Sequence, residues 1–260
     1  MKALLLGVVV LYIAAMGYLY MTQTDQLFPH QNVDKNTKIS GDAIESRTLL
    51  VSDGVILDGV ERKDENSDAG LILYFGGNSD DATVFLEHTK KLKGYDVLTF
   101  NYRGYGKSTG RPSEEALFHD ALKIYDTYAK GRKVIVIGRS LGSGVASYLA
   151  SKRVVDGVVL ITPYDSIVSI AKLKYPFFPI DFLLEHKFES VLYVQRIKAR
   201  IAIMEVDKDT TIPRYHLEKL LEAIPSKPLH VILSNTTHGK VLEHPAFTSE
   251  LQTILDKIDE

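Results

Sequence analysis

Gly138, Arg139, Ser140, Leu141 and Gly142 stand where an apolar run, Val134 to Ile137, gives way to a stretch with helical spacing through Tyr148. Two glycines around a serine at such a junction permit a sharp turn. The hydroxyl is lifted into the open while neighbouring backbones pass too close for a Cβ. The bare G-x-S-x-G spacing arises by accident in roughly one chain of this length in ten, and its plain reading is a glycine-rich turn with Ser140 as a helix cap. Its position between a strand and a helix is what gives it weight.

Outward from this turn the chain repeats one pattern. Leu71–Phe75, Val97–Asn101, Val134–Ile137, Val158–Ile161, Ile201–Val206 and Leu229–Leu233 are short runs rich in Val, Ile and Leu, as strands buried on both faces require. Amphipathic stretches lie between them. In Ser113–Ala129, Ser113 is placed as an N-cap, and Leu117, Ala121, Ile124 and Tyr125 share one face. Asp53 and Gly54, between Thr48–Val51 and Val55–Val60, predict a hairpin turn. The expected class is α/β, a mostly parallel central sheet with an antiparallel opening and helices on both faces.

A serine hydroxyl is a poor nucleophile until a base takes its proton, and the base must be oriented by a third group. His238 follows Leu229–Leu233 by a few residues. Asp209 lies just past Ile201–Val206, in the stretch running to Ile212 and Pro213. Serine, acid, histidine, each after its own strand, is the chain order of an α/β hydrolase. It predicts Ser140 as nucleophile, Asp209 as orienting acid and His238 as base. Asp207 and Asp165 are alternative acids, and His244 is an alternative base. For the oxyanion that forms in acyl transfer, the Leu141 amide is one expected donor. The Asn78 amide is the other, with Gly77 next, in the loop Gly76–Asp80. Ser79 or Asp80 is expected to cap the helix that follows.

Composition closes several other routes. With 45% hydrophobic and 25% charged residues, disorder is excluded as the main state. A net charge of -2 offers no broad electrostatic reason to bind nucleic acid. There is no cysteine, which excludes disulfides, thiolate metal sites and a cysteine nucleophile. The histidines form no H-E-x-x-H arrangement, and neither a metal nor a cofactor is expected.

Ala3 to Met21 carries no charge, and at ~1.5 Å per residue it reaches about 28 Å, close to the ~30 Å hydrocarbon thickness. Leu4, Leu5, Leu6, Val8, Val9, Val10, Leu11, Ile13 and Leu19 cover every face, which suits lipid better than a core. Lys2 precedes this span, so the rest of the chain is expected on the non-cytoplasmic side, periplasmic or lumenal. A cleaved signal peptide cut after Gly17 is the competing reading. The expected organisation is an anchor over 1–21, a polar connector over 22–45, and a domain over 46–260 with a small cap near 165–200. The aromatic run Tyr175 to Leu184 sits in that cap and favours an acyl substrate. Arg103, Lys107 and Arg111 form a basic loop, read as a solvated turn in preference to a phosphate or headgroup contact.

These residues together resemble the single-pass, membrane-anchored α/β-hydrolase domain serine hydrolases, which include protein depalmitoylases and many uncharacterised bacterial members. The marks are Gln26 to Pro29 after the anchor, Tyr74 to Asn78, the run from Asn101 to Glu114, Gly138 to Gly142, Thr162 to Ile167, Asp209 to Pro213, and His238. The chain departs from the family pattern at Gly76, where histidine is frequent, at Val206, where glycine is common, and at Asn235 to Thr237 before His238. The resemblance implies an α/β-hydrolase fold and a Ser140, Asp209, His238 triad. The expected activity is hydrolysis of carboxylic esters or thioesters, on a small ester or acylated substrate. A peptidase on the same triad and a non-catalytic membrane-tethered binding protein are the alternatives.

Overall fold

The computed structural model describes residues 1–35, 37, 39, 41, 43–66 and 68–260. The chain opens on α1 (Lys2–Leu27), followed by the antiparallel pair β1 (Ile44–Leu50) and β2 (Ile56–Arg62). Asp53 and Gly54 join these strands with φ of 61° and 70°, and the Val55 amide donates to the Ser52 carbonyl. Both central residues of this turn take positive φ, which favours Asp-Gly, and the pairing of Leu50 with Ile56 leaves a three-residue loop, Ser52 to Gly54, between Val51 and Val55.

Strands and helices then alternate: β3 (Gly70–Phe75), α2 (Phe85–His88), β4 (Tyr95–Phe100), α3 (Glu114–Tyr128), β5 (Val134–Arg139), α4 (Leu141–Lys152) and β6 (Gly157–Ile161). Next come the short helices α5 (Ile167–Lys174), α6 (Ile180–Leu183) and α7 (Ser190–Val194). The chain closes with β7 (Arg200–Val206), α8 (Arg214–Ala223), β8 (Leu229–Leu233) and α9 (Phe247–Asp259). The strands form one sheet in the order β1-β2-β4-β3-β5-β6-β7-β8. All pairings from β4 to β8 are parallel, and β2 runs antiparallel to both neighbours.

The period-two alternation of the strands divides the core in two. Leu71, Leu73, Val134, Val136, Val158, Leu160, Ile201 and Ile203 pack under α3, α4, α7 and α8. Ile72, Tyr74, Ile135, Ile137, Val159, Ile161, Ala202 and Met204 pack under α2 and α9. Ser113 caps α3 by accepting from the Ala116 amide, an interaction typically worth ~1 kcal/mol.

Three local expectations are corrected. The helix does not end at Met21 but continues to Leu27, so 22–27 is not connector; positions 36, 38, 40 and 42 of the expected connector lie outside the described residues. The residue that caps the turn after β3 is Asp81, which accepts from the Thr83 amide, and not Ser79 or Asp80. Arg103 is neither a solvated turn residue nor a headgroup contact. It is buried, grips both oxygens of buried Asp120 at 2.7 and 2.8 Å, and donates to Ser52 Oγ. This planar fork joins the β4–α3 loop to α3 and the hairpin.

Candidate active site

Every parallel strand that bears a candidate residue delivers it at its carboxyl end, the edge at which open α/β sheets bind ligands. Ser140 ends β5 and starts α4 with φ 50° and ψ -120°, outside ordinary side-chain territory. Bonds from its own amide to the Ile161 carbonyl and from the Ser143 amide to its carbonyl hold it there. The flanking glycines are sterically required. A Cβ on Gly138 would lie 2.2 Å from the Gly142 carbonyl oxygen, and one on Gly142 would lie 2.1 Å from the Phe75 carbonyl oxygen.

His238 stands five residues beyond β8. Its Nε2 is 2.8 Å from Ser140 Oγ, and its Nδ1 is 2.8 Å from Asp209 Oδ2. The other Asp209 oxygen accepts from the amides of Thr211 and Ile212, at 2.9 and 2.8 Å. With the carboxylate so fixed, the imidazole proton resides on Nδ1 and the free Nε2 lone pair faces the hydroxyl. The arrangement can draw a proton from Ser140 and return it to a leaving group.

The alternative residues are committed elsewhere. Asp207 accepts from the Asn235 and Thr236 amides; the Asn235 bond, ahead of the Thr236 bond, holds its pKa below the ordinary carboxylate value. It thereby shapes the loop that carries His238. Asp165 is 2.7 Å from Nδ1 of fully buried His216. Burial pushes its pKa up, but hydrogen bonds led by His216 outweigh burial and leave it low. His244 bonds the Ser234 carbonyl and the Ala246 amide.

Asn78 and Leu141 line the same cavity as Ser140 and His238. The loop carrying Asn78 is held at three of its carbonyls. Tyr102 Oη donates to Gly76 O at 2.8 Å, Tyr105 Oη donates to Asn78 O at 2.7 Å, and the Asp80 amide faces Gly77 O. Because a trans peptide points its N–H opposite its carbonyl, turning Gly77 O toward Asp80 turns the Asn78 amide away from it. The Gly77 amide is already taken by Asp80 Oδ2 at 2.7 Å, so the second-choice donor is not free. Burial pushes the Tyr102 and Tyr105 phenols above their ordinary pKa, so both stay protonated donors.

Arg139 ties these pieces together. It forms an ion pair with Asp80, and its Nη2 donates to the His238 carbonyl at 3.0 Å. Burial works against its charge, yet Asp80 outweighs burial and keeps the guanidinium pKa high. One side chain thus links the loop of Asn78 to the loop of His238. The spacing of G-x-S-x-G does not announce this role.

The cavity above Ser140 measures about 400 Å³, in the usual range of ~300–1,000 Å³ for ligand sites. Ile167, Ile170, Ala171, Tyr175, Ile180 and Leu183 form its cap side. Leu19, Gln23, Gln26 and Leu27 of α1 form a second wall, which the division of the sequence at residue 21 concealed. Gln23 holds this wall in place: its Nε2 donates to the Leu183 carbonyl at 3.0 Å and its Oε1 accepts from the Glu185 amide at 2.8 Å. Among the described residues no cluster of three or more histidine, aspartate or glutamate side chains could hold a metal ion.

The model of the α/β hydrolase fold family matches residues 75–192. An uncharacterized membrane protein of Saccharomyces cerevisiae is 29% identical over 242 residues, covering 86% of this chain and 85% of its own. The mouse lysophosphatidylserine lipase ABHD12 is 33% identical over 189 residues; the match covers 62% of this chain and 47% of the lipase, so the chain spans about half of that relative's length. Among solved structures, a membrane phospholipase A described as a bacterial virulence factor aligns over 100% of both chains with a TM-score of 0.65 at 17% identity. The chain has the α/β-hydrolase fold, and its N-terminal helix is long and apolar enough to cross a membrane.

Proposed function

We propose that this chain, an α/β hydrolase by fold, is a membrane-anchored serine hydrolase that cleaves carboxylic esters or thioesters of acylated, lipid-like substrates. The observation that carries the reading is the relay of two 2.8 Å contacts from Asp209 through His238 to Ser140 Oγ. Ser140 Oγ attacks the carbonyl carbon as His238 Nε2 takes its proton. The tetrahedral oxyanion is held by the amides of Leu141 and Asn78. Collapse expels the alcohol or thiol, which receives the proton from His238, and leaves an acyl-serine. Water, deprotonated by His238, then releases the acid and restores Ser140.

The substrate class is supported by the apolar cavity walls and by the lipid-directed names of the ABHD12 relatives and the phospholipase neighbour. The anchor reading is supported by α1, which is long and apolar enough to cross a membrane and exposed over its apolar first turns. Lys2 ahead of the span favours a non-cytoplasmic domain.

The test is covalent labelling of the full chain in detergent with a fluorophosphonate. One adduct on Ser140 is expected, with none on a Ser140→Ala variant, and p-nitrophenyl butyrate turnover is expected to fall by about 10⁴-fold or more in that variant. A folded wild-type protein that takes no label overturns the reading. Turnover of peptide amides in place of esters would reassign the same residues to peptide cleavage.

A further inference from the structure

Between charged Lys2, which bounds the apolar run, and Ala15, where packing begins, α1 is too short for a bilayer. Residues 2–14 are exposed, with the Tyr12 ring and hydroxyl reaching out to the cap, whereas from Ala15 onward one side of the helix, through Met16, Leu19, Thr22, Gln23 and Leu27, lies against the protein. Thirteen residues rise ~20 Å, and the hydrocarbon core is ~30 Å thick. Tilting lengthens the requirement. The missing ~10 Å must come from the turns Ala15–Met21, which travel with the cap packed beside them.

The cap surface at that level has the chemistry of a membrane-immersed element. Phe177 and Phe182 are 84% and 91% exposed, and Leu173 is 59% exposed. Phe178 stacks on Tyr12 of α1 with centroids 5.3 Å apart, which fixes the cap tip beside the middle of the apolar helix. Non-helical backbone survives in hydrocarbon only when its polar groups are satisfied. Here Pro176 and Pro179 have no N–H to satisfy. The Phe178 amide donates to Tyr175 O, the Ile180 amide donates to Phe178 O, and Tyr12 Oη donates to Phe177 O at 2.8 Å. The nearby charges are also managed. Lys172 pairs with Asp181 at 2.8 Å, and Lys174 lies over the Tyr175 ring on a stem long enough to reach the headgroups.

We propose that the cap tip, residues 175–183, is immersed about 10 Å into the leaflet from which α1 emerges, so that the pocket between α1 and the α5–α6 hairpin receives lipid esters sideways from the acyl layer. The immersion rests on the anchor reading of α1 and on the cap beside it. The sideways delivery of substrate rests also on the hydrolase reading above.

The absence of cysteine makes the test direct. Phe177→Cys and Phe182→Cys each supply one thiol for a nitrobenzoxadiazole label on the full chain in phosphatidylcholine vesicles. With bromine at mid-acyl carbons, both labels are expected to be quenched at least about half as strongly as one at Val8→Cys, within the free part of α1. Both are expected to be shielded from aqueous iodide about fivefold relative to one at exposed Glu65→Cys. Iodide quenching equal to that at position 65 overturns the proposal. So does shielding without bromolipid quenching, which would assign the patch to contact with protein, such as a second copy of the chain.

A double variant, Phe177→Glu with Phe182→Glu, is expected to lose about tenfold in hydrolysis of a long-chain p-nitrophenyl ester held in vesicles, and to stay within about twofold on soluble p-nitrophenyl acetate. Unchanged hydrolysis of the vesicle ester overturns the sideways route. A wild-type protein inactive on every ester removes the hydrolase reading and leaves the quenching result standing.

Discussion

Tyr105 acts on the site without lining the cavity: its hydroxyl holds the carbonyl of Asn78, and so pins the backbone of the residue whose own amide is the proposed oxyanion donor. Loss of an oxyanion donor costs ~10²–10³ in kcat, and loosening one costs less. For Tyr105→Phe we expect kcat on p-nitrophenyl butyrate to fall about tenfold with KM unchanged, while unfolding free energy drops by only about 1 kcal/mol. A parallel loss in KM, or an unchanged kcat, would remove the positioning role. At this scale the sequence was legible only where chemistry demands a particular residue type. Ser140, Asp209 and His238 could be picked out because serine, aspartate and histidine each follow a strand in that chain order, and the structure brings the three into a chain of two 2.8 Å contacts. Tyr102, Tyr105 and Arg139 were visible only as parts of a familiar pattern. Their work is done through contacts to residues 26, 27 and 99 positions away, and no local spacing encodes such distances.

Elements were easier to read than their ends. β3 to β7 fall where the Val, Ile and Leu runs predict, because strands covered on both faces cannot carry exposed polar residues without cost; β8 falls in its run too, although it is an edge strand with Ile232 exposed. The end of α1 was misplaced because Thr22, Gln23 and Thr24 look like solvated connector, whereas Gln23 and Thr24 bond inward to the cap. The junction between α1, α3 and the cap also contains His186. Its Nε2 lies 3.0 Å from Thr24 Oγ1, and its Nδ1 accepts from the Glu114 amide at 3.4 Å. Burial pushes the His186 pKa below its ordinary value, with Glu185 only partly opposing. Between that lowered value and ~6.5 the unfolded chain binds the proton and the folded chain resists it. The stability contribution is therefore complete above about pH 6.5 and is lost as the pH falls. In thermal unfolding, wild type is expected to lose more Tm than His186→Gln between about pH 7 and pH 5. His88, also held low by burial, remains in both proteins. Equal slopes would exclude His186 as the source.

On the scale of the whole molecule, Phe28 decides whether anchor and domain are one body. It is fully buried, with ring centroids 5.2 Å from His186 and 6.2 Å from Phe188, and it belongs to the same core as the central strands. Phe28→Ala is expected to cost about 3–5 kcal/mol in denaturant unfolding in detergent. Met21→Ala, at a site 82% exposed, is expected to cost less than about 0.5 kcal/mol. Comparable costs at the two positions would mean that the helix is a loose tether. A clamped helix has a kinetic consequence. Under the proposed function, a site that cannot swivel away from its own leaflet would meet its substrate by lateral diffusion in two dimensions. Turnover would then be expected to follow the mole fraction of lipid ester among its neighbours, and diluting the vesicle suspension in buffer would leave the rate per protein unchanged.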